Sequence, residues 1–304
     1  MRTKNLQLLS GPYGEISTDY YQFGLDGKSV LLISGIHAGE LGSQAVLYNY
    51  ISKLQEKESE LRGIVAILPC ADQLNNNSQI QQPDLGRYSL FDMLNLNREF
   101  PGKEEGTPTQ RIAKKIFDFA KDFDLVIDLH CDTNSLPYTL CFPDNFSSFG
   151  RFSGCDLVES YDFPEKELVR AVKNIGKEAF ILEVGASDVI TRDMIQKNTQ
   201  SLDSLLSFYS ILQQEIIESK QWYKGGEQIY YLAEQGGLLV RDKRIGDIIK
   251  KEEIFATIVS KKGNFPIRAS ETSLLKKFPS YSLVNEGMKT ALLIPLDSLR
   301  RYER

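Results

Sequence analysis

The chain has 304 residues, 41% of them hydrophobic and 25% charged, and carries a formal net charge of -5. This length suits one large domain plus a smaller one, and the acidic balance argues against nucleic acid as a partner. No apolar run reaches the roughly 20 residues of a membrane-spanning helix, and the N-terminus lacks the apolar segment of a secretory signal, so we expect no membrane partner.

Apolar runs typical of strands buried on both faces alternate with amphipathic, helix-like segments along the first two-thirds of the chain. The predicted strands span residues 29–36, 63–69, 124–130 and 179–185. The predicted helices span residues 42–54, 109–123 (with Thr109 as cap), 164–177 and 188–218. This alternation indicates an α/β fold with a mixed, mainly parallel sheet flanked by helices.

The pattern changes at Trp222, after which short β-prone pieces are separated by glycine or charged turns. These pieces are IYYLAE, GLLVRD, EIFATIVS, FPIRAS and TALLIP. Regularly spaced short strands favour a small all-β, barrel-like domain. We therefore predict a catalytic domain over residues 1–222 and a β domain over residues 223–304.

The four cysteines, Cys70, Cys131, Cys141 and Cys155, form no CxxC pair. Four thiols in a chain of this length do not make a disulfide framework, so we expect a reducing, cytoplasmic environment. Cys131 directly follows His130, and a reactive thiol is one interpretation of it. A small, buried, apolar side chain is the favoured alternative.

Only two histidines occur in the chain, and each lies at the carboxyl end of a predicted buried strand. His37 follows the first strand, with Glu40 three residues later, and His130 ends the third strand. The carboxyl ends of strands in open α/β sheets are where ligands and catalytic groups gather. Because two imidazoles and a carboxylate form many catalytic zinc sites, the pattern favours a metal site over structural or surface histidines.

Two further acidic residues lie on the same predicted strands. Glu183 comes at the end of the fourth strand, where a buried acid is costly unless it is paired or functional. Asp128 precedes His130 by two residues and so shares its face of the strand. Asp128 is therefore a candidate to orient His130, and a buried structural carboxylate is the alternative.

A polar segment before the second predicted helix contains Asn97 and Arg98, with Arg87 eleven residues before Arg98. The planar guanidinium of an arginine suits a substrate carboxylate, and an asparagine adds hydrogen bonds. Taken alone, two arginines in a polar loop are ordinary solvated charges. Their interpretation therefore depends on the motifs around them.

Four segments occur together in an order and spacing known from one family. They are GIHAGE (35–40), NLNREFPG (95–102), DLVIDLHCDTNSLPY (124–138) and ILEVG (181–185). Over roughly residues 28–215 the chain resembles the succinylglutamate desuccinylase/aspartoacylase family, a branch of the zinc metallocarboxypeptidase superfamily. The resemblance implies a carboxypeptidase-like fold, and a C-terminal β extension that narrows the mouth of the active site.

By position, the resemblance assigns His37, Glu40 and His130 as ligands of one Zn²⁺ ion and Glu183 as the catalytic glutamate. The implied reaction is hydrolysis of the amide bond of a small N-acylated amino acid or related amine. In that reaction zinc lowers the pKa of its water and polarises the carbonyl. Glu183 takes the proton of the water and passes it to the leaving amine.

The resemblance also assigns residues to the substrate. Arg98 would stabilise the oxyanion or anchor a substrate carboxylate, with Asn97 beside it, and Arg87 matches an additional arginine of the family. Tyr161 is a candidate counterpart of the mobile tyrosine of carboxypeptidases, although its sequence surroundings favour a packing or surface role.

Several alternatives stay open at this point. A metallocarboxypeptidase acting on the C-termini of peptides would use the same residues, and a non-catalytic binding protein would keep the fold without turnover. Many relatives carry an Asn-Pro pair where this chain reads ADQLNNNSQI (71–80), a loop expected to line the substrate pocket. The acyl group, the amine and the formation of a homo-oligomer are therefore left undetermined.

Overall fold

Ten strands of the computed structural model form one large mixed sheet. The structure describes residues 1–77, 86–132, 134–185, 187 and 189–302. In sheet order the strands are β1 (Arg2–Gly11), β2 (Gly14–Phe23), β4 (Gly63–Leu68), β3 (Lys28–Ser34), β5 (Leu125–His130), β8 (Glu178–Glu183), β6 (Tyr138–Cys141), β7 (Leu157–Ser160), β9 (Gln221–Lys224) and β18 (Arg300–Arg301).

The four predicted buried strands form the centre of this sheet. β4, β3, β5 and β8 are neighbours in that order, and all three pairings are parallel. Every side chain of β5 is buried, as expected for a strand covered on both faces. The register sets His130 opposite Glu183, so both residues lie at the carboxyl edge of the sheet.

Helices cover both faces of the sheet. One buried apolar cluster joins the sheet to α1 (Leu41–Glu56) and α5 (Arg192–Phe208). The other joins it to α3 (Pro108–Ala120) and α4 (Leu168–Asn174). The predicted α/β class, with a mixed, mainly parallel sheet between helices, is confirmed. In the described part of the chain, each helix is too short or too polar to cross a bilayer.

Two helices are shorter than the sequence predicted. The segment 164–177 contains only α4, and the segment 188–218 contains only α5. A helix cannot continue past α5, because Ser210 adopts a left-handed backbone conformation with φ 66°. In the segment 71–80, one helical turn forms α2 (Gln73–Asn76), and residues 78–80 lie outside the described residues.

The predicted cap of α3 was wrong by two residues. The helix begins at Pro108, with Thr107 as its cap residue and a proline at the first helical position. The hydroxyl of Thr109 instead donates to Oδ1 of Asp92 at 2.7 Å. Thr109 therefore ties a loop to the first turn of the helix.

The first 23 residues form a hairpin that the sequence analysis did not assign. β1 and β2 pair antiparallel around a turn at Pro12 and Tyr13, and β2 joins the sheet through β4. Most side chains of the hairpin are exposed or half-buried, and its buried positions include Leu8 and Thr18. The hairpin extends the sheet on the side of β4.

Residues 229–295, here called the β module, form two four-stranded antiparallel sheets around a separate apolar core, as the predicted all-β part requires. In sheet order these strands are β10 (Ile229–Leu232), β17 (Lys289–Pro295), β15 (Ser273–Lys277) and β12 (Ile248–Ile249), then β14 (Gly263–Arg268), β13 (Ile254–Ser260), β11 (Gly237–Arg241) and β16 (Leu283–Val284). Residue 222, the predicted boundary, lies within β9, which pairs with β7, and β18 returns to the large sheet. The division into 1–222 and 223–304 stays a prediction.

Candidate active site

His37 and Glu40 lie in the turn between β3 and α1, at the carboxyl edge of the sheet. Gly35 permits this turn, because its φ is +70° and a Cβ there would stand 2.8 Å from Cα of Cys70. Glu40 precedes α1, yet its side chain accepts no hydrogen bond from the helix. Its Oε1 lies 3.0 Å from Nδ1 of His37 and its Oε2 lies 2.9 Å from Nδ1 of His130.

The outer nitrogen of each histidine has an acceptor beside it. Nε2 of His37 lies 3.1 Å from Oδ1 of Asn95, an atom that also accepts the backbone N–H of Asn97 at 2.9 Å. Nε2 of His130 lies 2.8 Å from Oδ2 of Asp128. Both Nε2 atoms therefore carry a proton, and in the neutral rings both Nδ1 atoms present lone pairs.

Three acceptors consequently face one another at the centre of the site. The ligand atoms of His37, Glu40 and His130 all lie within 4.8 Å of one another, and the three residues are buried. Lone pairs at such distances repel unless a proton or a metal ion lies between them. Two imidazoles whose outer nitrogens are held by an amide and a carboxylate, together with a glutamate, are the donors of many catalytic metal sites. These residues therefore fit one metal ion.

The charges of this cluster are coupled. Burial raises the pKa of Glu40, but the charges of His37 and His130 outweigh it and hold that pKa well below its ordinary value. Burial lowers the pKa of His130, but Asp128 and Glu40 outweigh it and raise that pKa well above its ordinary value. For His37 burial prevails over Glu40, and its pKa is lowered. A proton in this cluster accordingly belongs to His130.

Glu183 ends β8 and is paired in register with His130. Its Oε2 is buried and has no hydrogen-bond partner among the described residues. Burial, followed by the charge of Asp132, raises the pKa of Glu183 to about 8. A carboxyl group that titrates near neutrality can both accept and release a proton, which suits a general base and acid.

Two neighbours of His130 hold the site in shape. Asp128 is fully buried and contacts the His130 ring as the orienting role requires. Cys131 donates its backbone N–H to Glu40 at 3.1 Å, and its sulfur accepts the backbone N–H of Ser43 at 3.0 Å. Burial raises the pKa of the Cys131 thiol well above its ordinary value, which argues against a reactive thiolate.

Asn97 and Arg98 share a single helical turn (Leu96–Arg98) at the side of the site. Asn97 is buried, and its Oδ1 accepts the backbone N–H of Leu168, the first residue of α4, at 3.0 Å. Nη1 of Arg98 donates to the backbone oxygen of Asn97 at 2.6 Å and lies 2.7 Å from Oε1 of Glu167. The Arg98 side chain is 46% exposed, so the guanidinium is accessible from the adjoining cavity.

Arg87 and Tyr161 also line that cavity. Nη2 of Arg87 lies 3.5 Å from Oε1 of Glu40, close to the candidate ligands. Tyr161 packs edge-on against Phe163, with ring centroids 5.1 Å apart. The structure thus brings Arg87 to the centre of the site and places Tyr161 at its wall.

A cavity of about 780 Å³ lies above the sheet edge, between the large sheet and the β module. The sheet side contributes the candidate ligands His37 and His130 together with Glu183. The opposite side belongs to the β module and includes Tyr230, Lys276, Lys277, Tyr281 and Lys289. The β module therefore forms one wall of this cavity.

Two consecutive lysines of β15 both reach this cavity. The register of β15 against β17 shifts at this point, and such a bulge lets neighbouring side chains turn to one side. Nζ of Lys276 lies 3.0 Å from Oε2 of Glu159 and 2.6 Å from Oη of Tyr223. Lys277 forms an ion pair with Asp132.

Sequence reasoning missed several residues of this site. Asn95, which holds His37, lies inside the NLNREFPG motif and was within reach of the motif analysis. Glu167 and the two β15 lysines come from segments that carry no motif, and only the fold brings them to the cavity.

Comparison with known proteins places the chain among hydrolases. The model of the succinylglutamate desuccinylase/aspartoacylase catalytic domain matches residues 26–209, more than half of the chain. N-alpha-acetyl-L-2,4-diaminobutyric acid deacetylase from Halomonas elongata is 24% identical over 291 residues, covering 88% of this chain and 82% of that protein.

Solved structures share the architecture. A succinylglutamate desuccinylase/aspartoacylase family protein from Shewanella amazonensis matches with a TM-score of 0.85 at 16% identity, covering 99% of this chain and 100% of that one. The product-bound ectoine utilization protein EutE (DoeB) from Ruegeria pomeroyi matches with a TM-score of 0.78 at 18% identity, covering 96% and 94%. At these identities the likeness establishes the fold.

Proposed function

Because the chain belongs to the succinylglutamate desuccinylase/aspartoacylase family, we propose that it is a zinc-dependent deacylase of small N-acylated amino acids or related amines. The observation that carries the proposal is the set of three facing acceptors on His37, Glu40 and His130, beside a half-buried Glu183 whose Oε2 is buried. The substrate named for the Halomonas elongata relative, an N-acetylated diamino acid, belongs to this class. We also assign the protein to the cytoplasm, because its four cysteines are free thiols.

Three buried residues would hold the metal. Nδ1 of His37, Nδ1 of His130 and the carboxylate of Glu40 would bind Zn²⁺, with the rings oriented by Asn95 and Asp128. When bound, zinc supplies a Lewis acid that lowers the pKa of water towards about 7 and polarises a carbonyl oxygen.

Glu183 is the residue to which we assign the proton transfers. Its carboxylate takes a proton from the attacking water and delivers it to the nitrogen of the leaving amine, so that one water is consumed for each amide bond. The pKa of about 8, raised by burial and Asp132, makes the protonated form available near neutral pH for the second transfer.

Arg98 and Asn97 are assigned to the substrate. The Arg98 guanidinium is accessible from the cavity and would hold a substrate carboxylate or the oxyanion that forms at the carbonyl. Oδ1 of Asn97 already accepts a backbone N–H, so its amide nitrogen is the group that would donate to the substrate. Arg87, next to Glu40, would add positive charge on the same side.

The alternative of a peptide carboxypeptidase is less well supported. The β module walls off one side of a cavity of about 780 Å³, a volume within the range of small-molecule sites. A non-catalytic binding protein is also less well supported, because Oε2 of Glu183 is buried without a hydrogen-bond partner among the described residues, which is costly unless the atom has a function.

Hydrolysis assays with the zinc-loaded protein test this proposal. We expect turnover of N-acyl amino acids to exceed release of C-terminal residues from short peptides. Glu183→Gln should retain zinc and lose about 10³-fold in kcat, as expected when a general base is removed. Glu178→Gln, at the opposite end of β8, is the matched control and should stay close to the wild type. Faster cleavage of peptides, or near-normal turnover by Glu183→Gln, would contradict the assignment.

A further inference from the structure

Glu167 is a buried acid of the cavity wall that the proposed chemistry does not use. We infer that Glu167 is a positioning residue: it fixes the Arg98 guanidinium so that the Nε–Nη2 edge receives the α-carboxylate of the substrate. This inference rests on the proposed function and narrows the substrate class to N-acyl amino acids with a free α-carboxylate.

Glu167 is buried beside Arg98. The residue precedes α4 and is only 6% exposed, and a carboxylate is costly in such a place unless it has a partner. Its Oε1 lies 2.7 Å from Nη1 of Arg98. Burial raises the pKa of Glu167, and the charge of Arg98 opposes that shift. The buried carboxylate of Glu167 therefore favours a position of the Arg98 guanidinium close to it.

The contacts of the Arg98 guanidinium are concentrated at one of its ends. Nη1 of Arg98 donates to the backbone oxygen of Asn97 and lies 2.7 Å from Oε1 of Glu167 as an ion pair, so both acceptors lie at the Nη1 end of the guanidinium. Nε and Nη2 of Arg98 make no hydrogen bond with the described residues. These two atoms form the edge that binds a carboxylate with two parallel hydrogen bonds.

The segment 166–168, which contains Glu167, also contacts the residues on both sides of Arg98. The backbone N–H of Leu168 donates to Oδ1 of Asn97 at 3.0 Å, and the backbone N–H of Phe100 donates to the oxygen of Lys166 at 3.2 Å. Residues 166–168 thus contact residues 97–100 at three points. The donors of Asn97 and Arg98 are fixed as a pair, and Glu167 supplies the only one of the three contacts that involves a charge.

Steady-state kinetics with two probes test the inference: N-acetyl-L-2,4-diaminobutyrate and its carboxamide, in which the α-carboxylate is replaced by a neutral amide. Glu167→Gln keeps the shape and loses the charge. We expect kcat/KM for the acid to fall about tenfold, the value of one charge-assisted hydrogen bond, mainly through KM. The value for the carboxamide should change less than twofold, which a general structural defect would not allow.

Three further measurements separate the possible outcomes. Glu165→Gln, an exposed neighbour, is the control and should match the wild type. Glu167→Asp keeps the charge and should lie between the wild type and Glu167→Gln. Calorimetric binding of L-2,4-diaminobutyrate to the zinc-loaded proteins should weaken about tenfold in Glu167→Gln.

Equal losses on the acid and the carboxamide, or no loss on either, would overturn the inference while the deacylase proposal stands. If the wild type binds the amino acid but hydrolyses neither probe, the proposed function fails. In that case the affinities of the wild type and Glu167→Gln for L-2,4-diaminobutyrate still test the role of Glu167: a tenfold difference supports it, and equal affinities contradict it.

Discussion

The two walls of the cavity differ in whether their charged and polar side chains are already paired within the chain. On the sheet side, the ligand atoms of His37, Glu40 and His130 lie within 4.8 Å of one another and could hold one metal ion. On the side of the β module, Lys276 and Lys277 each already have an acidic partner. The difference separates residues arranged to bind a ligand from residues that join two parts of the molecule.

The lysine wall joins the β module to the loop that follows His130. The backbone oxygen of Lys276 accepts the N–H of Leu136 at 3.1 Å, and the N–H of Phe278 donates to the oxygen of Asn134 at 3.0 Å. Nζ of Lys276 also stands 3.6 Å from the ring centroid of Tyr138. The pairs on this wall are thus satisfied within the chain, and we expect them to contribute to stability rather than to metal binding.

The largest difference between the two walls is expected in zinc binding and turnover, and His37→Ala should show it. Removal of one of three candidate ligands should abolish stoichiometric zinc and lower kcat/KM by about 10³-fold or more, because both the Lewis acid and its position are lost. Metal analysis and the zinc-induced rise of Tm measure this, since a metal that binds only the folded state raises Tm.

Asn95→Ala is the graded counterpart of that variant. It removes the acceptor of Nε2 of His37 but no ligand, and it should weaken zinc binding by about 10- to 100-fold. Full zinc content in His37→Ala would show that the metal is held elsewhere.

A large effect on stability alone is expected from Lys276→Met. Lys276 and Glu159 are 2% and 3% exposed, and breaking a buried pair by removing one partner costs about 3–5 kcal/mol. The free energy of unfolding, measured in denaturant, should fall by that amount while zinc affinity is unchanged. The double variant Lys276→Met/Glu159→Gln should recover much of the loss, because it leaves no unpaired buried charge. A parallel loss of zinc affinity would contradict the separation of the two walls.

The sheet-side wall could be predicted from sequence for a physical reason. His37, His130 and Glu183 each follow or end a continuous apolar run, and parallel strands bring such ends to one edge. The spacing of Glu40 after His37 then completes the cluster within one turn. The family motifs fall on the same positions, so pattern and resemblance agreed.

The opposite wall could not be predicted in this way. In a regular strand the side chains of Lys276 and Lys277 would point to opposite faces, and nothing in the segment SLLKK marks the bulge that turns both to the cavity. The β1–β2 hairpin was missed because its half-exposed strands alternate only weakly, although the Gly-Pro-Tyr-Gly sequence at residues 11–14 is a turn signal.

The smallest loss of stability is expected from Lys277→Met. This variant tests whether the burial of an ion pair sets its contribution to stability within one wall. The side chains of Lys277 and Asp132 are 28% and 13% exposed, so water screens this pair more than the pair at Lys276. Oδ2 of Asp132 also accepts a hydrogen bond from Oη of Tyr138 at 3.2 Å, just as Glu159 accepts one from Oη of Tyr223, so the two pairs differ chiefly in their exposure to water. We therefore expect a loss of about 1 kcal/mol or less in the free energy of unfolding, measured beside Lys276→Met under the same conditions. Equal losses in the two variants would mean that the shared bulge, rather than the burial of each pair, sets the strength of this wall.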